Sequence, residues 1–237
     1  PFMVAAGMNI LNFLFGLFIL PESLPAEKRR VFSKSQINPF NSLKKMFNAR
    51  NLLAFFIVHF TSQLSGQTHP SIWSIYTQNR FQWTPSQIGT SLAIVGLMSA
   101  FVQGALTPKI ISKWGEANTL KWGLLGYAIA FLLFGLADQG WMMYAILIAS
   151  SIFWTSGPAL QSIISKQVPS DQQGELQGSL FSLTSFASIL CPIITTQLFA
   201  YFNNPNPLGH FPGAPYYFAF AVAMVGFVII FRYQKAL

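Results

Sequence analysis

The chain has 237 residues, of which 52% are hydrophobic, 16% aromatic and only 8% charged, against about 25% charged in an ordinary soluble domain. Fourteen lysines and arginines against six aspartates and glutamates leave a net charge of +8. In a soluble protein that excess would suggest nucleic acid, but these charges are too few and too far apart, so nucleic acid is excluded as a partner. The charge-free runs extend over Pro1–Pro21, Asn51–Asn79, Phe81–Pro108, Trp122–Ala137, Gln139–Ser165 and Leu176–Phe231. A helix crosses a bilayer with about 20 mostly apolar residues, so the composition describes a polytopic membrane protein with the lipid bilayer as its solvent.

In chain order the runs predict seven transmembrane helices, at approximately 1–20, 51–77, 86–107, 119–137, 141–165, 177–202 and 215–231. The run Leu176–Phe231 is too long for one crossing and is broken by the Pro- and Asn-rich stretch Asn203–Gly209, which forces a turn. Transmembrane β-barrels are excluded, because their strands alternate apolar and polar residues over about 10 positions and no segment does so. The fold class is therefore all-α. The chain starts on Pro1 inside a hydrophobic run with no basic stretch before it, unlike a signal peptide, so it is expected to be a fragment whose natural N-terminal portion is missing. Cys191 is the single cysteine, which rules out an internal disulfide.

Charge placement predicts orientation. Thirteen of the fourteen lysines and arginines fall in alternate connections: the cluster Lys28–Arg50, then Lys109, Lys113 and Lys121, then Lys166, then Arg232 and Lys235. Arg80 is alone in the other set. The positive-inside rule puts the thirteen in the cytoplasm, with Pro1 outside and Leu237 inside. Trp73, Tyr76, Phe81, Trp83, Trp141, Tyr144, Tyr216 and Tyr217 are expected to form an outer interfacial belt, with Trp114 and Trp122 on the inner side. Trp154 falls mid-helix, outside that belt, and joins the candidate site residues.

Polar residues are unevenly shared. The fourth and seventh predicted helices, Trp122–Ala137 and Tyr216–Phe231, have no Ser, Thr, Asn or Gln and read as lipid-facing. The other helices of 51–202 carry stripes: His59, Gln63 and Gln67; Ser99, Gln103 and Thr107; Ser151, Thr155 and Gln161; Ser182, Ser185 and Ser188. Polar side chains in hydrocarbon face a partner helix or a wet cavity. Packing suits the short serines. A long amide needs several partners, so Gln63, Gln67, Ser99, Gln103 and Gln161 are the candidate substrate-binding residues, with Trp154. Gly157-Pro158 and Cys191-Pro192 are helix interruptions of the kind that mark midplane transport sites. His59 and His69 are the titratable intramembrane groups of this chain and are the proton-coupling candidates.

The end of the first helix, Asn12-Phe13-Leu14 followed by Leu20-Pro21-Glu22-Ser23, resembles the end of the sixth helix in the tetracycline-efflux branch of the major facilitator superfamily. Gln63-Leu64 with Gly66-Gln67, Arg80-Phe81-Gln82-Trp83, Ile88–Ala93 and Gly140-Trp141-Met142 are similar to that family in order. The most specific matches are Gly157-Pro158-Ala159-Leu160-Gln161 and Gly174–Leu180 with Leu183-Thr184-Ser185. The resemblance covers essentially the whole chain. It implies the last helix of an N-terminal half (1–20), a central cytoplasmic loop (21–50) and a six-helix C-terminal transmembrane domain (51–237). Gly104, Lys109, Lys113 and Gly115 resemble the superfamily's cytoplasmic loop signature, with Pro108 where an acidic residue belongs. The tetracycline exporters carry His where Ser99 stands and an intramembrane Asp where Tyr127 aligns, so Tyr127 joins the substrate-binding candidates and tetracycline itself is not the expected substrate.

The resemblance implies a secondary active transporter working by alternating access, with proton-coupled efflux of a drug or metabolite as the first expectation. An importer or facilitator for a polar nutrient or an iron chelate is the alternative, and a transporter-derived sensor a third. The expected partners are a small-molecule substrate, protons and the missing N-terminal half, which would hold the coupling carboxylates. The expected location is a bacterial inner membrane. No enzyme activity and no cofactor are expected: there is no phosphate-binding Gly loop ending in Lys, no metal-ligand spacing and no assembled nucleophile, base and orienter.

Overall fold

In the computed structural model, residues 2–20, 50–204 and 210–234 are described, and all regular structure among them is helical. The chain divides into two units, Pro1–Ser33 and Lys34–Leu237. In the first, α1 (Phe2–Phe18) is an uncharged apolar helix whose described side chains are all exposed. The predicted loop 21–50 and its basic cluster lie outside the described residues, apart from Arg50, which opens the next helix.

The second unit contains α2 (Arg50–Gly66), α3 (Thr68–Phe81), α4 (Pro85–Phe101), a π-turn (Val102–Leu106), α5 (Thr107–Leu136), α6 (Gly140–Ser150), a 3₁₀ stretch (Ser151–Thr155), α7 (Ser156–Lys166), α8 (Gln173–Asn203) and α9 (Ala214–Gln234). Three of its irregularities share one cause. A helical proline has no N–H and crowds the carbonyl four residues earlier. Pro70 stands four after Gly66, where α2 stops, and Gln67 carries the turn into α3. Pro108 stands four after Gly104, inside the π-turn, where Thr107 Oγ1 donates back to the Val102 carbonyl at 2.9 Å. Pro158 stands four after Trp154, inside the 3₁₀ stretch. The predicted interruption at Cys191-Pro192 is not seen, since α8 runs unbroken through Pro192. The Thr195 and Thr196 hydroxyls donate to the Cys191 and Pro192 carbonyls at 2.8 and 2.6 Å, supporting that turn as intrahelical bonds do in membranes.

Gly115 reverses the chain. Its φ of 75° and ψ of 161° belong to a region only glycine enters without strain. A straight helix over the 52 residues Pro85–Leu136 would be about 78 Å long. Instead its two ends meet the same layer: the Tyr144 hydroxyl donates to the Gln87 carbonyl at 2.8 Å, and Arg80 Nε donates to the Ala137 carbonyl at 3.0 Å. By length and composition four helical segments can cross a membrane: Pro85–Leu136, Gly140–Lys166, Ser170–Asn203 and Ala214–Tyr233. The expected seven are not reached by that measure. The elbow at Gly115 joins two of them, Pro70 divides another, and the apolar stretch Ala6–Phe18 is short.

Two expectations are corrected by the packing. The helices that carry the polar-free segments, α5 and α9, do not stand outside the bundle: each buries one face, with Leu120, Leu124, Phe131 and Phe134 on α5 and Tyr216, Ala219, Ala223 and Ile230 on α9 all enclosed. Only their opposite faces, including Ile129, Leu133, Val225 and Val228, are open. Lipid offers helices no hydrophobic drive to associate, so close backbone approach holds them together. Gly123 and Gly126 lie against Phe153 and Ser156, while Gly135 and Gly213 lie against Tyr217. The aromatic belt is corrected in part. Trp141, Trp114 and Trp122 are 65%, 54% and 49% exposed, as an interfacial role requires. Trp73, Tyr76, Trp83 and Tyr216 are buried in one cluster with Phe131 and Phe134; inside it the Trp73 indole donates to Ser91 Oγ and the Tyr76 hydroxyl to the Phe134 carbonyl, while the Tyr216 hydroxyl has no hydrogen-bond partner among the described residues.

Candidate functional site

Two cavities open among these helices. The first, of about 590 Å³, is lined by His69, Trp73 and Ser74 of α3, Leu92, Val95 and Ser99 of α4, Gln103 of the π-turn, Tyr127, Phe131 and Phe134 of α5, and Leu147, Ser150 and Trp154. Trp73, Tyr127, Phe131, Phe134 and Trp154 give it an aromatic wall. Trp73 is fixed by an indole bond of 2.9 Å to Ser91 Oγ, which itself donates to the Ile88 carbonyl at 2.7 Å. The His69 ring lies among four others, 4.7 Å from Phe134, 5.2 Å from Trp73, 5.3 Å from Phe131 and 5.6 Å from Tyr216 by centroids. Gln103 Nε2 donates to Ser99 Oγ at 2.6 Å, so the two predicted wall residues of this stripe form one polar strip.

The second cavity, of about 580 Å³, is lined by His59, Ser62 and Gln63 of α2, Tyr127, Trp154, and Ser156, Gly157, Pro158, Leu160 and Gln161 of α7. Its polar groups are organised by α8. Thr184 Oγ1 donates to the Leu180 carbonyl at 3.0 Å and accepts from Gln63 Nε2 at 2.8 Å. The same Thr184 oxygen lies within hydrogen-bond distance of His59 Nε2, at 3.1 Å. Gln161 Nε2 donates to Gln177 Oε1 at 2.9 Å. The Ser62 hydroxyl is buried with no hydrogen-bond partner among the described residues.

Of the predicted substrate-binding residues, Ser99 and Gln103 line the first cavity, Gln63 and Gln161 the second, and Tyr127 and Trp154 both. His69 borders the first and His59 the second. Gln67 lines neither. Gln67 stands at the α2–α3 junction, where its N–H still donates to the Gln63 carbonyl at 3.0 Å and its own carbonyl accepts from Ser71 Oγ at 2.6 Å. The serine stripe of α8 does not reach across: Ser182 and Ser188 donate to their own helix. Thr184 and Gln177 make the cross-helix bonds instead. Their seven-residue spacing, two helical turns on one face, was the available signal. No Asp, Glu, Lys or Arg lines either cavity.

Away from the cavities, at the Gly115 elbow, Glu116 Oε1 accepts from Lys166 Nζ at 2.6 Å and from Ser162 Oγ at 2.5 Å. Lys166 and then Ser162 hold the Glu116 carboxyl below its ordinary value, since both stabilise the charged form. Thus the loop that has Pro108 in the acidic signature position pairs an acid and a base eight residues on. Among the described residues no group of three or more His, Cys, Asp or Glu is placed to hold a metal ion.

Helices broken by proline, four segments of them long and apolar enough to cross a bilayer, define a polytopic helical membrane protein. The profile of the Major Facilitator Superfamily matches residues 1–192 and 55–236, and the chain belongs to that family. It is 36% identical over 200 residues to the class C tetracycline resistance protein of Escherichia coli, covering 84% of this chain and 50% of that one. It is 37% identical to the class G tetracycline resistance protein of Vibrio anguillarum, covering 84% and 51%. Human Hippocampus abundant transcript-like protein 1 is 28% identical over 99% of this chain and 51% of its own. The crystal structure of the human organic anion transporter MFSD10 (TETRAN) shares the fold, with a TM-score of 0.76 at 24% identity over 92% of this chain and 53% of that one. The chain spans about half the length of the curated relatives it matches.

Proposed function

We propose that this chain forms the substrate-binding wall of a proton-coupled exporter that works by alternating access and carries a neutral, moderately hydrophobic small molecule. The observation that carries the reading is the pair of uncharged cavities walled by aromatic rings and amides. The tetracycline resistance proteins support an efflux direction. Ser99 and Tyr127 stand where the resemblance expects ionisable groups, which supports a substrate other than tetracycline. A site without fixed charge favours a neutral molecule, because an ion there would lose its hydration without a counter-charge. The basic residues Lys109, Lys113, Lys121, Lys166 and Arg232 lie toward the Glu116 end and Arg80 toward the Trp83 end, which supports a cytoplasmic Glu116 end and C-terminus. A bacterial inner membrane is the proposed location.

The test uses the full-length protein in proteoliposomes, with a library of neutral aromatic metabolites and an imposed proton gradient. Export of a neutral compound that collapses with the gradient is the expected result. Gln63→Ala and Gln103→Ala each reduce that transport about fivefold, the worth of one lost hydrogen bond, at normal expression. Unchanged transport in both variants refutes the wall assignment. His59→Gln and His69→Gln leave the proton dependence in place, because the driving carboxylates belong to segments beyond these cavities. Gradient-independent uptake of a polar compound would replace the exporter by a facilitator.

A further inference from the structure

The two cavities share part of their walls and differ in what each adds. The first sets Trp73, Phe131 and Phe134 beside the Ser99–Gln103 strip, the second gathers His59, Gln63 and Gln161, and Tyr127 and Trp154 border both. We propose that they are two compartments of one binding site, with Tyr127 and Trp154 as its septum. The occupant is a single neutral amphipathic molecule, its flat ring system in the aromatic compartment and its hydrogen-bonding end among the amides. The inference rests on the transporter reading above and specifies its substrate class.

Size and chemistry support one bridging ligand. Each compartment, at about 590 and 580 Å³, falls within the range of roughly 300–1,000 Å³ for small-molecule pockets. Both septum residues have an aromatic face and one polar edge, so each can touch a ring on one side and a polar group on the other. Both also sit against broken backbone. Trp154 is held on the 3₁₀ stretch before Pro158. The Tyr127 hydroxyl lies opposite the α2–α3 break, where a Cβ built on Gly66 would stand 3.0 Å from it. That glycine keeps open the place the phenol fills. The buried and unpartnered Ser62 hydroxyl lies in the amide compartment, where the polar end of the ligand would give it a partner.

The full-length protein is titrated with two fluorescent probes that share one ring system, dansyl-propylamide and dansyl-N-methylglucamide. Wild type binds both, and they displace each other one for one. Gln161→Leu weakens the glucamide about tenfold through unpaired polar groups and changes the propylamide less than about twofold. Leu92→Trp, which fills the aromatic compartment from an open position (Leu92 is 57% exposed), weakens both probes alike. Gln161→Asn keeps an amide and recovers part of the glucamide affinity, which separates lost hydrogen bonding from misfolding. Equal weakening of both probes by Gln161→Leu, simultaneous binding of the two, or no binding to wild type overturns the proposal. Proton-driven transport is measured on the same vesicles. Its absence beside this binding pattern refutes the exporter reading and leaves the two compartments standing.

Discussion

A single methyl group at Gly123 tests whether close backbone approach holds the α5–α7 seam. A Cβ at Gly123 would lie 2.8 Å from Ser156 Cβ and 3.3 Å from both the Phe153 carbonyl oxygen and Ser156 Cα. Carbon atoms rest about 3.5–4.0 Å apart, so the two backbones must separate by several tenths of an ångström or more. None of the three obstructing atoms can swing away by rotating a side chain. Overpacking of this kind costs about 1–3 kcal/mol. At about 2–4 °C per kcal/mol for a domain of this size, Gly123→Ala lowers the thermal midpoint by roughly 2–12 °C. Gly178→Ala on α8 is the control, since nothing lies within 4 Å of its Cβ position, and helix propensity makes it neutral or slightly favourable. The assay heats the detergent-purified full-length protein with a thiol-reactive dye that reports exposure of Cys191, buried in the folded state. Equal midpoints for the two variants would refute the reasoning, as would an unchanged midpoint for Gly123→Ala.

Trp73→Phe removes the 2.9 Å indole bond to Ser91 inside the aromatic core, and by the same assay loses about 1 kcal/mol. Pro158→Ala restores the amide that the Trp154 carbonyl lacks. It therefore leaves the midpoint equal or higher while reducing transport, and a fall in both would show that the 3₁₀ stretch has another cause. For Glu116, the partners that lower its pKa make its contribution present above the ordinary carboxylate value and lost as pH falls through the depressed folded one. Lys166 is 68% exposed, which limits the pair to about 1 kcal/mol or less. The stability gap between wild type and Glu116→Gln is thus constant from neutral pH to about pH 5 and closes at lower pH. A gap that grows on acidification would reverse the sign of the argument.

The membrane class and the helical fold were legible because lipid makes composition a sharp signal: apolar runs of crossing length have few other uses. Wall residues such as Ser99, Gln103 and Gln161 were legible for the related reason that a polar side chain on an apolar helix must face something. Gln67 keeps its helical bond to the Gln63 carbonyl but lines neither cavity, since periodicity gives a face and not the depth of the cavity beside it. The burial of α5 and α9 was hidden because hydropathy treats lipid and protein interior alike, and glycines such as Gly123 and Gly126, rather than polar groups, mark the packed face. Thr184 was obscured by its neighbours: three serines looked more polar than one threonine, yet the Ser182 and Ser188 hydroxyls turn back on their own helix.

The three prolines that sit four residues past Gly66, Gly104 and Trp154 act on carbonyls, yet two of them also border a cavity, Pro70 the first and Pro158 the second. Joint and lining therefore coincide at those prolines and separate at the other wall positions. Ser99 and Tyr127 stand where the resembling exporters carry ionisable groups, on helices still broken beside them by the same kind of joint. Wall positions other than the prolines, such as Ser99 and Gln161, are where the lining can change without touching a joint.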